Sequence, residues 1–212
     1  MSVLTKEEIL SRINAGDLSF SPCLDAFQVQ IHSVDLRLSF DFMIPKLWEM
    51  SSQGRVAVNI DYFSGAEKQH FETIRLNPGQ FFEILPREFV VVKALEEIVV
   101  PDDLMAILYP RSSVNRRGLS VDLSGIVDAG YKGNLIVPIK NNTSSQVIRI
   151  YPGERFCQLV FYKVNGKSEA HQSRFENNGK VVGVFKEKND EEVRLIKEGK
   201  IEELKKIGAN NL

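Results

Sequence analysis

Residues 135–163, LIVPIKNNTSSQVIRIYPGERFCQLVFYK, hold three short apolar runs, Leu135–Ile139, Val147–Ile150 and Cys157–Lys163, separated by Asn-Asn and Pro-Gly turns. Short runs rich in β-branched and aromatic residues, bounded by turn formers, read as strands. The same texture extends outward through Val34–Phe40, Val56–Ile60, Phe81–Ile84, Phe89–Lys93 and Ala106–Tyr109, several alternating with period two. Closely spaced short strands argue for a mainly β sandwich or barrel. Strand–helix alternation is missing, which argues against a doubly wound α/β fold. No internal repeat is visible.

The two ends differ from this body. Thr5-Lys6-Glu7-Glu8 has the form of a capping box, Ile9, Leu10 and Ile13 follow at helical spacing, and Gly16 supplies a stop. A short N-terminal helix is expected over about residues 5–15. Past Phe185 the chain turns charged, and Val193, Ile196, Ile201, Leu204 and Ile207 recur at roughly helical spacing before Gly208. This predicts a C-terminal amphipathic helix, docked on the body or a neighbouring subunit, or else free for a partner. The expected division is a domain over 1–187 and a helical tail over 188–212.

The 212 residues are 43% hydrophobic and 26% charged, enough apolar material for a sizeable core. Lys plus Arg number 27 and Asp plus Glu 28, so the net charge of -1 gives no footprint for polymeric nucleic acid. A local cluster of arginines can still hold a small anion. Cys23 and Cys157 are the only cysteines, and His32, His70 and His171 are scattered. That excludes a disulfide scaffold and the ligand set of a zinc hydrolase or zinc deaminase, so no zinc is expected. No apolar run approaches the roughly 18 residues of a membrane span, and the charged, helix-periodic N-terminus reads as a helix rather than a signal peptide. A cytoplasmic protein with no membrane partner is expected.

Three segments carry candidate chemistry. Tyr109-Pro110-Arg111-Ser112-Ser113-Val114-Asn115-Arg116-Arg117-Gly118 sets hydroxyls beside guanidinium groups on a turn, which suits phosphate but also suits a solvated surface. Ser124-Gly125-Ile126-Val127-Asp128-Ala129-Gly130-Tyr131-Lys132-Gly133-Asn134 looks like a tight hairpin. Its backbone and Tyr face could meet a flat ligand, or it is an ordinary hairpin with a surface Asp. In Tyr151-Pro152-Gly153-Glu154-Arg155-Phe156-Cys157-Gln158, Gln158 sits among apolar neighbours and needs a partner, internal or ligand.

In this order, and with Gln30-Ile31-His32-Ser33-Val34-Asp35-Leu36-Arg37-Leu38 ahead of them, these segments resemble the trimeric dUTPase/dCTP deaminase family. The first segment is similar to the deaminase branch's Gln-Pro-x-Ser-x-Asp-Leu-Arg-Leu pattern, with Ile31 for Pro. Pro86–Pro101 is similar to that branch too. The resemblance implies a distorted jelly roll of the β-clip type, assembled as a homotrimer with active sites at subunit interfaces. It implies a deoxynucleoside triphosphate ligand, dUTP or dCTP, held with Mg²⁺. Arg111, Ser112, Ser113, Arg116 and Gln158 would bind phosphates or sugar. Gly125, Ile126 and Tyr131 would meet sugar and base, and Asp35 would be structural or metal-proximal. Ser173–Gly179 is similar in shape to a closing tail segment, which would make Arg174, Phe175 and Asn178 a lid.

The resemblance also divides hydrolase from deaminase. In dUTPases an Asp at the position of Asp128 orients the water that attacks the α-phosphorus. The deaminases need, in addition, a proton-shuttling Glu ten residues later, and here that position is Pro138, with no carboxylate within two residues. Tyr109-Pro110-Arg111 is also more similar to the dUTPase branch, since deaminases usually carry Gly before that Arg. The expectation is therefore Mg²⁺-dependent hydrolysis of dUTP to dUMP and pyrophosphate, with Asp128 catalytic. The alternatives are a zinc-independent dCTP deaminase with a displaced shuttle, and a non-catalytic trimeric nucleotide-binding or regulatory protein.

Overall fold

The computed structural model describes residues 2–59, 70–121, 125–165 and 190–207. The chain divides into two compact units, 1–45 with 72–181, and 46–71 with 182–212. In chain order its elements are α1 (Lys6–Ala15), β1 (Ser19–Ser21), β2 (Val34–Pro45), β3 (Trp48–Ser51), β4 (Gly54–Ala57), β5 (Phe71–Arg75), β6 (Phe82–Ile84), β7 (Phe89–Val99), β8 (Leu104–Pro110), α2 (Ser112–Arg116), β9 (Leu119–Val121), β10 (Ile126–Val127), β11 (Lys132–Asn141), β12 (Ile148–Ile150), β13 (Arg155–Lys163), α3 (Asp190–Lys197) and α4 (Ile201–Leu204).

The first unit is a distorted jelly roll. Its main sheet runs β10-β8-β13-β2-β7-β11-β9, with β1 added to β7, and its named pairs are antiparallel; β6 and β12 form a separate two-stranded sheet. Alternation in β11 sends Leu135, Val137 and Ile139 into the core, and β13 buries Cys157, Leu159 and Phe161 in the same way. Phe42 stacks on Phe82 at 4.8 Å between centroids, joining β2 to the small sheet. Such pairs are worth about 0.5–1.5 kcal/mol beyond the area they bury. The long runs of burial in β2 and β7 follow from cover on both faces.

The helix over 5–15 forms as its cap dictates. The Thr5 hydroxyl accepts the Glu8 N–H at 3.3 Å, the Glu8 carboxylate accepts the Thr5 N–H at 3.0 Å, and Gly16 closes the helix at φ 81°. Glu8 also accepts Lys163 Nζ at 2.8 Å, an exposed pair that holds its carboxyl below the usual range and ties α1 to the end of β13.

In the second unit, β3 and β4 form a hairpin with the Arg55 guanidinium 4.8 Å from the Trp48 ring centroid. Its helices α3 and α4 fall where the tail was expected, with Val193 and Leu195 buried; Gly208, the expected stop, lies outside the described residues. Among the described residues, no helix is long and apolar enough to cross a membrane.

The expected turn after β8 closes as one short helix, Ser112–Arg116, with Val114 buried. One expectation is corrected: residues 125–133 do not make a hairpin. Among the described residues β10 pairs with β8, while β11 pairs with β7 and β9, so the Asp128–Gly130 turn carries the chain from one part of the sheet to another. A Gly-rich turn fixes chain reversal but not which strand is met next. β1, β3, β5 and β9 were not legible either, being short and polar or broken.

Gly118 ends the α2 segment at φ +90°, and a Cβ there would stand 2.6 Å from Thr143 Cγ2. Gly153 has a similar φ of +86° and open space. Gly118→Ala is expected to lose about 1–3 kcal/mol in urea unfolding, and more than Gly153→Ala, because it adds a clash to the same backbone strain.

Candidate active site

Three adjacent strands build the site. β13 lies between β2 and β8, and its Gln158 is the register partner of Asp35 on one side and Tyr109 on the other. Arg111 and Ser112 follow the end of β8. The sequence thus brings Asp35, Gln158, Arg111 and Ser112 to one place although 123 residues separate the first two. With Gln30, Ile31, His32 and Ser33 they line an open cavity of about 380 Å³.

Asp35 is the hub. It is 2% exposed, and its Oδ2 accepts both Arg111 Nε and Arg155 Nη1 at 3.0 Å. Burial pushes its carboxyl up, and Arg111, Arg155 and Arg37 pull back in turn. Arg111 is held a second time by the Arg155 carbonyl, 3.2 Å from Nη1. A guanidinium has five N–H donors, so Arg111 keeps spare donors after these two bonds. Gln158 finds an internal partner, accepting from the Ser33 hydroxyl at 3.1 Å, and still faces the cavity.

Ser112 lines the cavity with Arg111, whereas Arg116 folds back on the Ser112 carbonyl and hydroxyl at 3.3 and 3.4 Å, and Ser113 is exposed. Asp128, Gly125, Ile126 and Tyr131 do not line this cavity. Asp128 is exposed on the turn after β10, Ile126 is 64% exposed, and the Gly125 carbonyl accepts the Leu108 N–H at 2.7 Å. Tyr131 is 8% exposed in the core, its hydroxyl donating to the Asn134 carbonyl at 3.0 Å, and burial pushes that hydroxyl up to about 12. Arg174, Phe175 and Asn178 lie outside the described residues.

Sequence reasoning assigned no role to Arg155 or His32. Arg155 lies three residues before Gln158. Its role depends on the pairing of β13 with β2, which a linear reading does not supply.

The fold and this cavity define a mainly β protein with guanidinium, hydroxyl and amide groups around an open cavity. The profile of the family described as dCTP deaminase-like matches residues 3–164. A "dCTP deaminase, dUMP-forming" of Sulfurihydrogenibium sp. (strain YO3AOP1) is 39% identical over 79% of this chain and 87% of the relative. The one of Persephonella marina is 36% identical over the same shares. A 2'-deoxycytidine 5'-triphosphate deaminase structure from Agrobacterium tumefaciens shares the fold with a TM-score of 0.58 at 21% identity. That likeness covers 77% of this chain and 48% of the other, so the chain spans about half that structure's length. The chain belongs to the dUTPase/dCTP deaminase family, in its dCTP deaminase-like part.

Asp35→Ala leaves two half-buried guanidinium groups without their anion. The expected loss is about 3–5 kcal/mol in urea unfolding, the cost of breaking a buried ion pair from one side. Cys157 is fully buried, which drives its thiol well up, whereas Cys23 is exposed. Iodoacetamide is expected to label Cys23 alone in the folded protein, and both thiols after denaturation, by mass spectrometry.

Proposed function

We propose that the protein hydrolyses dUTP to dUMP and pyrophosphate. The observation that carries this reading is the preset cradle, with Arg111 pinned by Asp35 beside Ser112, Ser33 and Gln158. Guanidinium, hydroxyl and amide donors fixed around an open cavity match a chain of phosphates, and fixed donors need no reorganisation as charge shifts. The Asp128 carboxylate orients a water whose oxygen attacks the α-phosphorus. The bond from that phosphorus to the bridging oxygen breaks, pyrophosphate carries the electron pair away, and the water's proton passes to Asp128 and then to solvent. Gly125, Ile126 and Tyr131 take the sugar and base.

Among the described residues, no cluster of three or more His, Cys, Asp or Glu forms a metal cage. A Mg²⁺ arriving with the nucleotide would offset the charge of its phosphates.

Two copies are needed for one site. Continuing the β10–β8 register by one residue puts Asp128 beside Met105. Arg111 lies six residues further along, roughly 20 Å at about 3.3 Å per residue. That exceeds the span from an α-phosphorus to the far phosphate, so the cradle of one copy works with the Asp128 of another. The homotrimer implied by the sequence resemblance would supply that arrangement.

The names of the relatives favour a second reading, a deaminase that turns dCTP into dUMP. That conversion needs loss of the amine as well as of pyrophosphate. Against it stands Pro138, half-buried in β11 opposite Val91, with Ile136 and Lys140 as the nearest residues on its face. None of these can shuttle a proton as a carboxylate does.

With Mg²⁺ present, pyrophosphate from dUTP and no ammonia from dCTP are expected. Ammonia from dCTP would replace this reading by the second, and silence on both nucleotides would mark a binding protein. Asp128→Asn is expected to cut dUTP turnover at least about 100-fold while nucleotide affinity, read by calorimetry, stays within a few-fold. Full turnover in that variant would remove Asp128 from the mechanism.

A further inference from the structure

One buried carboxylate takes no part in the chemistry above. Glu96, on β7, is 1% exposed, and its Oε1 accepts the Gln28 side-chain amide at 2.6 Å while its Oε2 accepts the Arg37 backbone N–H at 3.0 Å. Gln28 is itself 2% exposed and fully engaged. Its amide nitrogen also donates to the Asp35 carbonyl at 2.9 Å, and its side-chain oxygen accepts the Asp25 N–H at 3.1 Å. Its backbone carbonyl takes the Asp35 N–H at 2.8 Å. Gln28 thus joins three things: the start of the loop over residues 25–33, the strand position that holds the two arginines, and Glu96.

That loop supplies Gln30, Ile31, His32 and Ser33 to the cavity wall. Apolar burial does little to hold it. Phe27 and Ile31 are 68% and 73% exposed, and within 25–33 Val29 alone packs against the core. Hydrogen bonds hold it instead: the Phe27 carbonyl accepts both the Arg155 and the Gln30 side chains, and the Gln30 N–H donates to the Ser33 carbonyl at 2.8 Å.

We infer that Glu96 is a positioning residue for phosphate binding, which through Gln28 fixes the 25–33 loop over the cradle. The inference rests on the reading of the cavity as a phosphate site. Both groups that Glu96 meets are N–H donors, so a residue that only accepts is required there. An amide at 96 would satisfy the Arg37 N–H and turn its own NH₂ against that of Gln28, leaving buried donors unpaired.

The test uses Glu96→Gln, the Gln28→Glu/Glu96→Gln swap and the wild-type chain. Amide exchange reads the loop, calorimetry with inorganic tripolyphosphate reads the cradle, and dUTP kinetics separate KM from kcat. In Glu96→Gln, exchange is expected to quicken across residues 25–35 while β8 and β11 keep their protection. Tripolyphosphate affinity should fall about tenfold, the loss of one charge-assisted hydrogen bond. KM should rise with kcat within a few-fold. The swap restores an amide-to-carboxylate contact of reversed polarity, but it sets a carboxylate oxygen against the Asp35 carbonyl that the Gln28 amide served, so it should recover only part of the affinity. Unchanged loop exchange, exchange that quickens throughout the fold, or a swap no better than the single variant would each overturn the inference. If the wild-type chain holds no tripolyphosphate, the phosphate reading of the cavity falls and the inference with it, and a loop that still responds to Glu96→Gln would leave Glu96 a purely structural anchor of residues 25–33.

Discussion

One carboxylate oxygen accepting two guanidinium groups organises this site. Asp35 Oδ2 meets Arg111 and Arg155 at 3.0 Å in the wall of the cavity. Burying a charge costs several kcal/mol, and only paired, hydrogen-bonded geometry offsets it. The pairing here fixes more than charge. Arg111 comes from the end of β8, Arg155 from the start of β13 and Asp35 from β2, so one ion cluster clamps three neighbouring strands where the cradle opens. Its arginines are thereby held in place before any ligand arrives, which lowers the ordering cost of binding.

The body of the fold was legible because its long strands announce themselves. Alternation in Leu135–Ile139 and Cys157–Lys163, and the capping box at Thr5, are local signals that the structure keeps. What escaped depends on pairing across the sheet. Reasoning from a single turn could not show that Ile126–Val127 pairs with β8 rather than with β11, since nothing local to Asp128–Gly130 names the strand met next. Arg155 reads as an ordinary residue after a Pro-Gly turn until β13 is laid beside β2. Glu96 reads as one of two adjacent strand acids. Only the alternation of β7 sends it inward while Glu97 stays exposed.

The site residues divide in the same way. Arg111, Ser112, Gln158 and Asp35 converge, and Asp128 stands apart at the other end of β8. On the proposed reading these are two half-sites, and a single copy would bind phosphate and do nothing further to it. Pro138 adds a second separation, of chemistry. Relatives named for forming dUMP from dCTP combine loss of an amine with loss of pyrophosphate. On the proposed reading the cradle here serves the second, and Pro138, at the position tied to the first, has no proton to give.

On the proposed reading, the cradle and the catalytic carboxylate come from different copies. Mixing two inactive variants, Arg111→Ala and Asp128→Asn, after joint unfolding and refolding tests this most directly. The expected result is that dUTP turnover returns to about a quarter of the wild-type rate, the share of sites pairing an intact cradle with an intact carboxylate in randomly assembled oligomers. A mixture as inactive as its components, from chains that do co-assemble, would contradict it.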